Sequence, residues 1–205
     1  MGTEDINKLI QPLLNPSAVF SRSEVLVKDC PVPAQPGVYV WFFKTIPDLV
    51  PTHGCIKFGE MTALYVGISP GRVNSPQNLR KRIRTHFKGN AEGSTLRRTL
   101  GILLEQDSGF PLRRVGSGKR MTFTHLGEQW LDSWMQENAF VSWIVRSEPW
   151  QIEHDMLKQF NFPLNLQDNG HRSFTKELSL LRQKANENAR QQPIANEGNQ
   201  RRGIY

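Results

Sequence analysis

Several residue types stand in an order that could support chemistry on a phosphate ester. Two tyrosines, Tyr39 and Tyr65, each lie in an apolar run with a glycine close by. A basic segment, LRKRIRTHF at residues 79–87, follows the second tyrosine. Glu153 comes later, and Asn165 follows it by twelve residues. Attack on a phosphodiester builds negative charge on its oxygens, which a guanidinium and a hard cation held by a carboxylate can balance.

Each of these signals is weak when it is taken alone. A tyrosine in a buried strand more often packs in a core than performs catalysis, and a basic helix face is often only solvated. Glu153 and Asp155 could both lie on the wet face of one helix. The order of all these residues along the chain is the stronger argument, because it constrains them together.

Three segments predict the strands of a sheet. Residues 37–43, with the sequence GVYVWFF, and residues 61–68, with the sequence MTALYVGI, are rich in apolar, β-branched and aromatic side chains. Residues 140–145 have the same character, and residues 121–124 could form a further short strand. The predicted loops cover residues 47–59 and 109–118.

Helices are predicted around these strands. Leu79, Ile83 and Phe87 recur every four residues, which indicates an amphipathic helix over residues 77–87 with an outer face of arginine and lysine. Pro149 is well placed at the start of the helix that carries Glu153. That helix covers residues 150–160. The other predicted helices cover residues 9–14, 95–105, 127–138 and 175–190. From residue 191 onward, the Gln, Asn, Gly and Arg content predicts a disordered tail, residues 191–205.

Taken in order, these features resemble the GIY-YIG nuclease superfamily. The match runs from Gly37 to Asn165 and consists of tyrosine, tyrosine, arginine, then glutamate with a downstream asparagine. The two short motifs, GVY at 37–39 and YVG at 65–67, carry valine where the family name has isoleucine, which is a conservative exchange in a strand. The resemblance implies an α/β (α+β) fold. A small central three-stranded antiparallel sheet would be flanked by helices, with a helical insertion at about residues 94–138.

The resemblance also implies roles for the residues beside the sheet. Tyr39 and Tyr65 would position or deprotonate the attacking water, and Gly67 would let the backbone come close to the site. A free tyrosine has a pKa near ~10, so either one would need a lowered pKa to act as a base, or would only orient the water. His86 matches a histidine of some members, although helix capping or a phosphate contact would explain it equally well.

The helices would supply the charges. By resemblance, Arg82 would neutralise the phosphate, with Arg80 and Arg84 as competitors for that role. Glu153 would bind one divalent ion per active site, Mg²⁺ or Mn²⁺, and Asn165 would support the local structure. A lone carboxylate ligand leaves the ion with several of its waters, which is typical of magnesium.

Further basic residues predict contacts with the substrate backbone. Residues 61–120 contain twelve basic and three acidic residues, whereas the net charge of the whole chain is +7, so the positive charge is concentrated there. The candidates are Arg80, Arg84, Arg97, Arg98, Lys119 and Arg120. Such contacts would give affinity and salt sensitivity without sequence choice. The alternative is a solvated charged face.

Length and composition bound the remaining possibilities. A chain of 205 residues that is 38% hydrophobic can bury one core, so we expect a single domain over residues 1–190. Cys30 and Cys55 have no zinc-site or disulfide spacing and are expected to be ordinary thiols in a reducing cytosol. Residues 1–11 lack a signal-length apolar run, which predicts a cytoplasmic protein without membrane contact.

The sequence therefore predicts a metal-dependent endonuclease that hydrolyses DNA. Since one active site cuts one strand, cleavage of both strands would call for a homodimer. Two alternatives stay open: the substrate could be RNA, or the scaffold could be a non-catalytic nucleic-acid-binding module.

Overall fold

A computed structural model gives the fold, and it describes residues 3–167 and 169–197. The strands are β1 (Gly37–Phe43), β2 (Lys57–Phe58), β3 (Met61–Ser69), β4 (Arg113–Val115), β5 (Arg120–Thr122) and β6 (Ala139–Val145). The helices are α1 (Thr3–Leu14), α2 (Arg22–Leu26), α3 (Leu79–Lys88), α4 (Thr95–Leu103), α5 (Glu105–Ser108), α6 (Thr124–Asn138), α7 (Trp150–Gln159) and α8 (Ser173–Gln191).

The central sheet is antiparallel, with the strand order β2-β3-β1-β6. Its three long strands, β1, β3 and β6, confirm the predicted small antiparallel sheet. The two-residue strand β2 extends one edge by pairing with the start of β3, within a stretch that the sequence predicted as loop. Strand β1 lies between two partners and all seven of its residues are buried, which explains its continuous apolar sequence.

Helices cover both faces of this sheet. Along β1, Tyr39 and Trp41 point into one cluster of buried residues, and Val38 and Val40 point into the other. Helices α3, α4, α6 and α8 contribute to the first cluster, and helices α1 and α7 contribute to the second. The two tyrosines of the sequence motifs therefore share the face on which the basic helix α3 packs.

The insertion between α3 and β6 contains more than helices. Strands β4 and β5 form a separate two-stranded sheet between α5 and α6. Residues 113–115 had been predicted as loop. They pair instead with Arg120–Thr122, and the connecting turn is made possible by Gly116 and Gly118 at φ of 61° and 81°.

The predicted disordered tail, residues 191–205, begins where α8 ends, and its first residues contact the β4–β5 hairpin. Beyond α8, the backbone N–H of Ala195 donates to the carbonyl oxygen of Arg114 at 2.8 Å. The side chain of Arg113 donates to the carbonyl oxygen of Pro193 at 3.1 Å. Because β4 is the edge of its two-strand sheet, it offers backbone acceptors that hold residues 192–197 in place. The rest of the predicted tail, residues 198–205, lies outside the described residues.

Other expectations concern the thiols and the membrane. Cys30 and Cys55 are both free thiols, as predicted. None of the helices in the described ranges has the length and apolar character needed to span a bilayer.

Candidate active site

A cavity of about 520 Å³ lies between the central sheet and helices α3, α7 and α8. Strands β1 and β3 contribute Tyr39 and Tyr65 to its wall, α3 contributes Arg82 and α7 contributes Glu153. The same wall includes Gly67, Asn165 and Arg182. The structure thus brings together residues that are far apart in the sequence, and it does so in one concave site.

The strand register places both tyrosines on one face of the sheet. Tyr39 pairs with Gly67, and Tyr65 pairs with Trp41, so the two tyrosines are diagonal neighbours. Their ring centroids are 6.5 Å apart. Tyr39 is 1% exposed and Tyr65 is 8% exposed, so both phenols line the cavity wall and have little contact with solvent.

Gly67 leaves the space that the hydroxyl of Tyr39 occupies. A Cβ atom at Gly67 would lie 2.5 Å from Oη and 2.7 Å from Cζ of Tyr39, well inside van der Waals contact. A side chain here would therefore displace the phenol or the strand. Close packing against Tyr39 gives a structural reason for the glycine of the second motif.

Helix α3 presents two of the predicted site residues on one side. The side chain of Asn78 caps the helix by accepting from the backbone N–H of Lys81 at 3.0 Å. Arg82 and His86 are four residues apart and therefore lie one above the other. The helix is anchored in the core by Leu79, Ile83 and Phe87. Arg82 is half-buried, on the cavity wall.

His86 lies behind Tyr39 and belongs to a chain of buried hydrogen bonds. Its Nε2 is 2.9 Å from Oη of Tyr39, and its Nδ1 is 2.7 Å from Oγ of Ser94. Oγ of Ser94 also accepts the backbone N–H of Arg97 at 3.1 Å. The imidazole of His86 therefore links the hydroxyl groups of Tyr39 and Ser94, with one hydrogen bond at each ring nitrogen.

The electrostatics of the site follow from burial. Burial and the charges of Arg82 and Arg97 hold the pKa of His86 well below its usual range, so the ring is neutral at neutral pH. Burial raises the pKa of Tyr39 and of Tyr65, and the charge of Arg82 only partly opposes this. Both phenols are therefore protonated at neutral pH.

The pKa of Arg82 is raised as well, although burial acts on a cation in the opposite direction. Burial works to lower the pKa of its guanidinium, but the adjacent Tyr39 and Tyr65 together raise it. The guanidinium also donates to the carbonyl oxygen of Gly93 at 3.3 Å. Arg82 is consequently a permanent positive charge beside the two phenols.

Glu153 comes from the first turn of α7. Ile152 and Met156 on that helix are buried under the sheet, which leaves Glu153 half-buried on the cavity wall. In the part of the chain that the structure describes, no three His, Cys, Asp or Glu residues form a group that could hold a metal ion. A single carboxylate beside an open cavity suits a hard cation that keeps most of its waters, as Mg²⁺ does, and does not suit a closed zinc site.

Asn165 is a partner for the backbone of β3. Its Oδ1 accepts the backbone N–H of Val66 at 3.0 Å, and its Nδ2 donates to the carbonyl oxygen of Val66 at 2.8 Å. The neighbouring Leu164 donates its backbone N–H to the carbonyl oxygen of Leu64 at 3.0 Å. The amide thus satisfies both backbone groups next to Tyr65, on a stretch of β3 where β2 does not pair.

Arg80 and Arg84, the competitors of Arg82, hold other parts of the fold. Nε of Arg80 donates to the carbonyl oxygen of Val32 at 2.6 Å. The guanidinium of Arg84 donates to the last carbonyl groups of α2, including that of Val25 at 3.0 Å. Of these three arginines, Arg82 is the one on the cavity wall.

The expectation that Arg97 contacts substrate is corrected by its burial. Arg97 is 0% exposed and forms salt bridges with Glu128 and Asp132, both at 2.7 Å. It also donates to the carbonyl oxygen of Glu128 at 3.0 Å. A guanidinium with these partners joins α4 to α6 inside the insertion and cannot reach a bound polymer.

The remaining predicted contact residues lie away from the cavity wall. Arg98 forms a salt bridge of 2.8 Å with Glu92 on the surface of the insertion. Lys119 and Arg120 are exposed at the turn end of the β4–β5 hairpin. These three residues are in different surroundings from Arg82, and only the hairpin pair offers well-exposed charge.

Sequence reasoning missed two residues of the site. Ser94 was not among the predicted site residues, yet its hydroxyl caps α4 and also binds His86. Arg182 was not considered, although a sequence signal exists. It stands four residues after Leu178 and three before Ala185, both buried, so it is a charge on the apolar stripe of α8.

The fold is α/β, and two phenols, a guanidinium and a carboxylate line one cavity of it. A comparison with known families shows the class of protein to which this fold belongs. Residues 37–184 match the family described as the GIY-YIG catalytic domain. The chain therefore belongs to the GIY-YIG family, whose catalytic domains are those of nucleases that act on nucleic acid, generally with a divalent metal. Comparisons with curated proteins and with solved structures gave no match.

Proposed function

We propose that this protein is an endonuclease that hydrolyses phosphodiester bonds in DNA with one divalent ion, Mg²⁺ or Mn²⁺, per active site. The observation that carries the proposal is the convergence of Tyr39, Tyr65, Arg82 and Glu153 on a single cavity. A purely structural role would not require two phenols, a guanidinium and a carboxylate to face the same space.

The roles of the residues follow from their positions. Arg82 would bind a non-bridging phosphoryl oxygen and balance the charge that grows there during attack. Tyr39 and Tyr65, protonated at rest, would orient the attacking water through their hydroxyl groups. The hydrogen bond between Nε2 of His86 and Oη of Tyr39 would hold that phenol in place.

Glu153 would hold the divalent ion. When bound, the ion would supply positive charge next to the phosphoryl and leaving oxygens. Glu153 contributes one carboxylate from a rigid helix, and Asn165 fixes the strand that carries Tyr65.

DNA is the proposed substrate because the chain combines this family membership with positive charge concentrated in residues 61–120. We further propose that the protein acts in the cytoplasm, which the free thiols Cys30 and Cys55 favour. Cleavage of both strands would require two copies of the chain, and a molecular-mass measurement on the protein with bound duplex tests this.

The experiment is cleavage of supercoiled plasmid, single-stranded DNA and RNA, in Mg²⁺ and in EDTA. The parent protein is compared with Glu153→Gln and Tyr65→Phe, and Asp155→Asn is the matched control on the same helix. Asp155 is also a half-buried carboxylate, and it accepts from the side chain of Gln151. Its substitution by Asn therefore changes the charge of α7 by the same amount as Glu153→Gln.

The expected result is metal-dependent nicking of DNA that both site variants lose and the control keeps. Cutting of RNA alone would replace the substrate while keeping the reaction. If the parent protein binds DNA with steep salt dependence and cuts none of the three substrates, the nuclease proposal fails in favour of a binding module.

A further inference from the structure

A second guanidinium reaches the cavity from outside the segment that contains the tyrosine, arginine, glutamate and asparagine motifs. Arg182 lies on α8, seventeen residues beyond Asn165, and its side chain lines the same wall as Tyr65 and Arg82. It is half-buried, between the buried residues Leu178 and Ala185 of its helix. Its position on the inner side of α8 directs its charge into the site.

In the described part of the chain, Arg182 contacts a neutral side chain. Its Nη1 donates to Oγ1 of Thr99 at 3.2 Å, which ties α8 to α4. Within residues 3–167 and 169–197, none of the acidic side chains forms a salt bridge with Arg182. Arg97 on α4, by contrast, forms salt bridges with two carboxylates.

The surroundings make this charge unfavourable unless an anion is present. Burial and the positive charge of Arg98 lower the pKa of Arg182, while Tyr65 acts in the other direction. A partly buried guanidinium that has a neutral partner and a like-charged neighbour costs free energy in the folded protein. A phosphate group that enters the cavity would supply the missing negative charge with two acceptor oxygens in a geometry that suits arginine.

We propose that Arg182 is a second phosphate-binding residue of the active site, which contacts the substrate backbone from helix α8. This inference rests on the proposed nuclease function. In it, Arg82 and Arg182 would hold the polymer between them, and α8 would be part of the substrate-binding surface as well as of the core.

Two measurements test the role of Arg182. One is the affinity for a fluorescent DNA duplex in EDTA across a range of salt concentrations, which needs no cleavage. The other is the single-turnover cleavage rate in Mg²⁺. The variants are Arg182→Met, which keeps an apolar stem on the stripe, and Arg182→Lys, which keeps the charge. Arg190→Met is the control, since Arg190 is exposed on the same helix.

The proposal expects about tenfold weaker binding for Arg182→Met, as for the loss of a charged hydrogen bond. The slope of log affinity against log salt should fall by about one phosphate contact. Arg182→Lys should recover part of the affinity, and Arg190→Met should bind like the parent protein. Thermal unfolding of each variant reports on folding.

Other results separate the two proposals. If Arg182→Met folds and binds like the parent protein, with the same salt slope, the role of Arg182 is refuted whether or not the parent cuts DNA. If Arg182→Lys does not recover the lost affinity and both variants unfold at a lower temperature than the parent protein, Arg182 has a structural role. That result also refutes the proposed phosphate contact. A parent protein that binds DNA and never cuts it refutes the nuclease function alone, because the binding comparison still decides about Arg182.

Discussion

Oη of Tyr39 lies 2.9 Å from Nε2 of His86, in a fully buried contact between β1 and α3. The serine that caps α4 fixes the other ring nitrogen, so the imidazole cannot turn freely. The orientation of the Tyr39 hydroxyl is thereby linked to the first helix of the insertion. Several expectations follow from this pair and from the packing around it.

Tyr39 and His86 should act as a unit. Removal of the hydroxyl in Tyr39→Phe should slow single-turnover cleavage by about 100-fold, because the attacking water would lose a group that orients it. His86→Gln should slow it too, and the double variant should be little worse than Tyr39→Phe alone. Rates that multiply instead in the double variant would mean that the two residues act independently.

His86 should make folding sensitive to mild acid. Its pKa is lowered in the folded state, so below about pH 6.5 the unfolded chain binds a proton that the folded chain does not. This contribution to stability is complete above that pH and is lost as the pH falls toward the lowered pKa. From about pH 7.5 to about pH 5.5, the parent protein should lose about 1.4 kcal/mol more unfolding free energy than His86→Gln. Urea unfolding measures both, and equal losses would contradict the prediction.

Gly67 should not tolerate even a methyl group. The Cβ of Gly67→Ala would lie 2.5 Å from Oη of Tyr39, so we expect destabilisation of about 1–3 kcal/mol by overpacking. Cleavage should fall as well, because the phenol moves. Gly71→Ala is the control, since Gly71 lines the same cavity and no atom lies within 4 Å of its added Cβ. Similar behaviour of the two variants would argue against the packing explanation.

Arg97 should matter for stability. Arg97→Met removes the buried guanidinium that bridges Glu128 and Asp132, which should lower the unfolding free energy by about 3–5 kcal/mol. Arg98→Met removes a half-exposed pair with Glu92 and should cost no more than about 1 kcal/mol. Chemical denaturation compares the two. If Arg97→Met were as stable as the parent and weakened only DNA binding, the earlier expectation of a substrate contact would return.

Much of the fold was predictable because local patterns agreed with tertiary packing. The continuous apolar run of β1 reflects burial on both faces of the strand. The four-residue repeat of Leu79, Ile83 and Phe87 reflects burial of one face of α3. Strand β4 was not predicted because it has only three residues and is ordered by its pairing with β5. A strand this short carries no periodic signal of its own.

The candidate site divides in the same way. The residue order from Tyr39 to Asn165 was sufficient to suggest the family and the kinds of side chain that the chemistry needs. It could not tell which arginine of α3 faces the cavity, since Arg80, Arg82 and Arg84 have equal charge and differ only in their angle around the helix. Their hydrogen-bond partners come from distant segments, and these decide the matter.

The sequence by itself determined the three long strands, the basic helix and the set of reactive residue types, because these depend on periodicity and composition along the chain. Tertiary structure decided that Arg97 is internal, that His86 contacts Tyr39 and that Arg182 lines the cavity. A charged residue has the same chemistry in every environment until burial and partners are known. Those are properties of the packed fold, and they separate a structural ion pair from a charge available for phosphate.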